Sequence, residues 1–202
     1  MRYSTAFCED CHVLKWQNLK MLKLLLLAFT IVVFQVSACD FPNGTETALH
    51  WWQCGGAEYV RFTDAIAVDA SGNQEYPIRL TEVLYVKSHA INNLAVLSNP
   101  NVIESSKVYQ YTKSWSGSAC QWQEVPTFGL FENINACEKG GVTCPVGMGE
   151  QTVLMKMDFT AFNFVINGLP NDVPYMMQIT INDKKTGKSA CIMAQARALT
   201  KK

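Results

Sequence analysis

With 17 Lys or Arg set against 17 Asp or Glu, the 202-residue chain has no net charge, and the charges are scattered rather than run together. That excludes the concentrated basic face of a nucleic-acid-binding protein. Hydrophobic residues make up 49% of the chain, enough for one domain with its own core, and eight cysteines point toward an oxidising compartment.

Residues 1–38 read as a leader. A mainly apolar run over 24–36 follows Lys20 and Lys23 and ends at Val36-Ser37-Ala38, the charged, apolar and small-residue zones of a secretory signal peptide. The run is too short for a membrane span, and no later stretch approaches the roughly 18 apolar residues that a span needs. An over-called upstream start is the alternative, since Met21 would begin a tidier signal by itself. Cys8-Glu9-Asp10-Cys11-His12 matches the C-x-x-C-H haem-attachment pattern. It lies ahead of the signal's apolar core, where a chance match in a discarded segment is the bland reading. Removing 1–38 leaves a single domain, 39–202, with thirteen Lys or Arg, fifteen Asp or Glu and a net charge of −2.

In chain order, Asn43-Gly44-Thr45 is a glycosylation acceptor in a polar segment. From residue 58 onward the pattern is strand after strand. Residues 59–68 alternate, with Phe62, Ile66 and Val68 on one parity, before the turn chemistry of Asp69 to Asn73. Ile78, Leu80, Leu84 and Val86 alternate with Arg79, Thr81, Val83, Tyr85 and Lys87, leaving Glu82 as an exception on the apolar side. Further strands are predicted within 93–97, 107–115, 119–125, 152–159 and 162–166. The last two are the clearest: Tyr175, Met177, Ile179 and Ile181 share one face, and after a turn at 183–188 the strand over 190–198 places Ile192, Ala194, Ala196 and Ala198 on one parity. No long window has a helical period, so seven or eight antiparallel strands predict an all-β sandwich.

Six cysteines follow the leader: Cys39, Cys54, Cys120, Cys137, Cys144 and Cys191. An even count reads as three disulfides, and spacing alone leaves fifteen connectivities open. No C-x-x-C pair remains, and His50 and His89 are remote from the cysteines in sequence, so neither a metal nor another cofactor is implied.

Cys54 in WWQCGG, Cys137 and Cys144 enclosing Gly140-Gly141 with Pro145 after them, and Cys191 in SACIMAQARA together resemble the ML lipid-recognition family, with its sterol-carrier and ganglioside-activator branches. The likeness covers about 51–199. It implies an immunoglobulin-like sandwich whose sheets splay to leave an apolar cavity for one lipid, and it implies the pairs Cys54 with Cys191 and Cys137 with Cys144. Cys39 is then left to Cys120. It places Phe128, Val146, Met155, Met157, Phe159, Phe164, Tyr175, Met177 and Ile179 on the strands and loops that the family uses for its pocket. Each could equally be core filler, and the sequence does not say which parity of 153–159 points inward. The chain departs from the sterol branch just after Pro145, where Gly147 to Val153 carries Glu150 in place of that branch's lysines.

The resemblance implies a secreted or lysosomal carrier that presents a sterol, phospholipid or glycolipid to a membrane surface or a lipid-processing enzyme; the sequence does not give an oligomeric state. Trp51, Trp52, Trp115 and Trp122 are candidates for packing over a disulfide or dipping into a bilayer interface. An adhesive or receptor-binding sandwich is the rival reading. Catalysis is disfavoured, since no G-x-S-x-G or His-paired serine is present, although Glu124, Asp158 and Asp172 are carboxylates that a fold could bring together.

Overall fold

A computed structural model of the chain describes residues 39–201 except 115, 116 and 118. The predicted leader and the C-x-x-C-H pattern lie outside the described residues.

The described residues form strands β1 (His50–Gly55), β2 (Val60–Val68), β3 (Ile78–Arg79), β4 (Val83–Asn92), β5 (Val102–Lys113), β6 (Cys120–Glu124), β7 (Ile134–Asn135), β8 (Gly149–Asp158), β9 (Val173–Asp183) and β10 (Lys188–Leu199). The larger sheet runs β1-β10-β9-β5-β6, with β3 beside β10 and β7 beside β5, and the smaller runs β2-β4-β8. All pairings are antiparallel except that of β3 with β10. The all-β sandwich predicted from the sequence is therefore the fold. Alternation sets its inner faces: on β4, Leu84, Val86, Ser88, Ala90 and Asn92 are buried, while Lys87 and His89 face water. Phe62, Leu84 and Met155 from the small sheet join Val102, Ile179 and Ile192 from the large one in a single core, each fully buried side chain contributing about 1.5–3 kcal/mol.

Four local expectations are corrected. β1 is a strand that Trp51-Trp52-Gln53 did not announce, because it is an edge strand of middling burial with no clean alternation. The strand expected over 78–87 is broken by a turn in which Glu82 N–H donates to Arg79 C=O; this is why Glu82 sat on the wrong parity. The strand expected within 93–97 is a loop, organised by Asn92, whose Nδ2 donates to Ala95 C=O at 2.7 Å and Gly147 C=O at 2.8 Å. The strand expected over 162–166 is helical: a 3₁₀ turn (Thr160–Phe162) leads into α1 (Asn163–Ile166). Ahead of it, Asp158 makes a local turn of its own, accepting from Thr160 N–H at 3.1 Å and from its hydroxyl at 2.6 Å.

Three disulfides join Cys39 to Cys120, Cys54 to Cys191 and Cys137 to Cys144. The loop closed by the third fastens one sheet to the other. At its start Ala136 N–H donates to Val102 C=O of β5, and at its far side Lys156 N–H of β8 donates to Gly141 C=O, both at 2.9 Å. Gly141 has φ of 75° and lies so close to the Lys156 main chain that a Cβ would clash.

The first disulfide pins a segment read from the sequence only as a polar stretch with a glycosylation acceptor. Residues 39–48 form a strap bound to the large sheet. Asn43 Nδ2 donates to Gln195 Oε1 at 2.9 Å, Arg197 lies 5.3 Å from the centre of the Phe41 ring, Tyr76 Oη donates to Thr45 C=O, and Thr45 is wholly buried. Cys39 ties the strap's start to β6, on the opposite edge of that sheet from β1. Replacing Cys39 and Cys120 together by serine is expected to lower the unfolding free energy by roughly 2–4 kcal/mol. Urea titration measures the loss, and amide exchange is expected to accelerate first at 39–48.

Candidate functional site

The sandwich encloses an apolar cavity of about 130 Å³, close to the size of an engineered apolar cavity, about 150 Å³, that takes up benzene. Its cause is visible in the sequence of β10. Ile192, Ala194 and Ala196 line the cavity, and in register with them on β9 are Ile179, Met177 and Tyr175. Facing sandwich sheets usually fill the gap of about 10 Å between them with interdigitating side chains. Methyl groups cannot reach that far. Across the gap stand Leu84 and Val86 of β4 and Met155 and Met157 of β8.

Among the described residues no charged side chain lines the cavity; Thr127 and Tyr175 are its polar members. The Tyr175 hydroxyl donates to Pro170 C=O at 2.8 Å, and burial pushes its phenol well above the ordinary tyrosine range. The mouth is aromatic. Phe131 meets Phe159 at 6.0 Å and Phe162 at 5.4 Å, both edge to face. Beside them Phe128 is 87% exposed and holds a φ of 51°, a left-handed conformation that costs a bulky residue of order 1–3 kcal/mol. Phe164 on α1 is 78% exposed.

Of the nine residues predicted as pocket residues, Phe128, Met155, Met157, Phe159, Tyr175, Met177 and Ile179 line the cavity. Val146 does not; it is bonded across to Leu97 through both backbone groups and packs in the core elsewhere. Phe164 points to water while its neighbours Phe162, Val165 and Ile166 line the wall. Lining residues that the sequence reading missed include Leu84, Val86, Val108, Phe131 and the β10 row. The inward parity of β4 and β10 was legible, so Leu84, Val86 and the β10 row could have been found by asking which residues face each other; Phe131, in a loop, carries no such signal. Trp52 lies tilted against His50 at 5.4 Å and Trp122 against Tyr111 at 5.0 Å; Trp51 packs against the core. Trp115 lies outside the described residues. The three carboxylates considered for acid–base chemistry have separate partners: Glu124 pairs with Lys107, Asp172 with Arg197, and Asp158 with Thr160. The bonds from Thr160 and Arg197 hold Asp158 and Asp172 below the usual carboxylate range.

Neither a family model nor a curated protein matches the sequence. Among solved structures the chain is similar to a Niemann-Pick type C2 protein from the Japanese carpenter ant, at 16% identity and a TM-score of 0.42 over 74% of this chain and 98% of that one. It is also similar to the C-terminal domain of Wzt, at 10% identity and a TM-score of 0.35, over 76% and 80% of the two chains. Scores this low carry no functional argument, and the geometry of the site stands alone.

Beyond the cavity, the next inward residues on β5 are Ser106 and Glu104, which follow Val108 in the same row. Glu104 is 7% exposed, accepts from the Ser106 hydroxyl at 3.1 Å and lies beneath Gly140 of the disulfide loop. Burial raises its carboxyl above the ordinary 4.5, with the Ser106 hydrogen bond opposing in part. The folded chain thus binds this proton more tightly than the unfolded one. The associated stability is complete below pH 4.5 and is lost as the pH rises through the raised value. Replacing Glu104→Gln is expected to flatten that decline and to raise the melting temperature at pH 7 more than at pH 4, as read by thermal unfolding across the two.

Proposed function

We propose that this chain is an ML-type lipid carrier, holding one lipid between its sheets and presenting it to a membrane surface or a lipid-processing enzyme. The observation that carries the reading is the uncharged cavity between the two sheets, with Phe128, Phe131, Phe159 and Phe162 among its lining. A sandwich that leaves apolar lining unfilled gives up contact energy that a ligand restores, at roughly 25 cal/mol per Å² of apolar surface removed from water. Met155, Met157 and Met177 are unbranched and polarisable, and let the walls follow an acyl chain or a ring system as it enters. The three disulfides and the predicted leader support a secreted or lysosomal setting. A glycan at Asn43 is attached before the strap closes, since the folded chain bonds its Nδ2 to Gln195 and buries Thr45.

Phe128 and Phe164 are the contact with the bilayer. Both are large, apolar and exposed next to the mouth, and the strain at Phe128 favours a role that pays back elsewhere.

Native mass spectrometry of the protein secreted from eukaryotic cells, followed by lipid extraction, is expected to show one sterol, phospholipid or glycolipid per chain. Ala194→Leu, which fills the space, is expected to reduce that occupancy well below one with the circular dichroism unchanged. A protein that arrives empty and takes up neither fluorescent fatty acid nor sterol would instead be an adhesive sandwich. Phe128→Ser combined with Phe164→Ser is expected to slow lipid transfer from vesicles about tenfold while leaving retention of a preloaded lipid intact.

A further inference from the structure

Six large apolar side chains are exposed among the described residues, and three of them, Phe128, Leu130 and Phe164, lie in two segments that also line the cavity. The first segment is the turn over 125–132, where Leu130 N–H donates to Thr127 C=O. The second is the 3₁₀ turn with α1. Phe131 of the first meets Phe159 and Phe162 of the second, so the exposed side chains share one end of the cavity.

The charges around that end are mainly acidic. From 114 to 138 and from 157 to 183 the sequence has no Lys or Arg, but six Asp or Glu. Glu124 and Asp172 are neutralised by Lys107 and Arg197, Asp183 is buried, and Glu138 accepts from Asn99 Nδ2. That leaves Glu132 and Asp158, both exposed, each one residue from a phenylalanine of the cavity wall. Glu82 joins them, since Val83 beside it pairs in register with Asp158. Two lysines reach these turns from outside: Lys156, on the same outer row of β8 as Asp158, and Lys201, whose N–H donates to Asn171. Three carboxylates against two ammonium groups leave this end weakly negative, and neither lysine adjoins an exposed phenylalanine in sequence.

We infer that the surface around Phe128 and Phe164 docks on a zwitterionic bilayer, and that anionic lipid weakens the contact. The inference rests on the carrier reading and adds to it the kind of membrane. Apolar anchors gain from any bilayer in proportion to the area they bury, whatever the headgroup charge. Charge then decides between bilayers. A basic rim is drawn to an anionic leaflet, and this rim has the opposite sign.

The test sediments the secreted protein with sucrose-loaded vesicles of phosphatidylcholine, alone or mixed with phosphatidylserine, at low and raised salt. Native mass spectrometry reads the lipid content of the same preparation. At low salt, binding to the mixed vesicles is expected to be about fivefold weaker, the effect of one unit charge at a leaflet surface, and salt is expected to shrink the difference. Glu132→Gln with Asp158→Asn is expected to abolish or reverse the difference while binding to phosphatidylcholine is unchanged. Phe128→Ser with Phe164→Ser is expected to lose binding to both. Tighter binding of the wild type to the phosphatidylserine vesicles, or a difference that the charge variant does not move, overturns the inference and leaves the carrier reading standing. Sedimentation with neither vesicle overturns it too, and directs this surface to a protein partner. An empty protein counts against the carrier whatever the vesicles show, so the two failures are distinguishable.

Discussion

Small residues on one strand govern this molecule. β10 lies between β1 and β9 in the larger sheet and presents Ala190, Ala194, Ala196 and Ala198 on its inner face, interrupted by Ile192. A sheet that offers methyl groups to its partner cannot fill the space between two layers unless the layers collapse together. Collapse is opposed at one edge by the disulfide loop, which is bonded to β5 on one side and to β8 on the other. The unfilled volume is the difference between these two demands, and both the proposed ligand site and its aromatic mouth depend on it.

The elements most easily read were those whose two faces meet different solvents. β2, β4, β9 and β10 each turn one face to the core, so their apolar residues alternate and the strands announce themselves. Where that contrast was weak the sequence was mute or misleading. β1 is an edge strand with neither face deeply buried. Phe159, Phe162 and Val165 are as β-like as any residues in the chain, yet they lie in a helical turn, where the rings of Phe159 and Phe162 meet Phe131 and Asp158 accepts from Thr160 N–H. A tertiary contact decided the local structure there, and no window of neighbouring residues contains it.

The site was legible to the same degree and for the same reason. Met155, Met157, Tyr175, Met177 and Ile179 could be named because a strand's parity exposes its apolar residues. Val146 could not be separated from them, since a residue that fills the core and one that lines a void are equally apolar. The strap over 39–48 was the least legible part. Its hold on the sheet comes from single polar contacts made across 152 and 121 residues of sequence, by Asn43 with Gln195 and by Tyr76 with Arg197, and separations of that size leave no local trace.

The position of β10 also fixes when the domain can exist. The strand that joins β1, β3 and β9 follows all three in sequence, and Cys54 waits for a partner 137 residues further along. The β2-β4-β8 sheet and the loop closed by Cys137 and Cys144 are complete in sequence before β10 begins, but the sheet that covers their inner face lacks an interior strand until then. Until β10 has been made, the nascent chain carries an apolar inner face without its full cover and an unpaired thiol at Cys54, the condition in which long-range β pairing is slow and most exposed to misassembly.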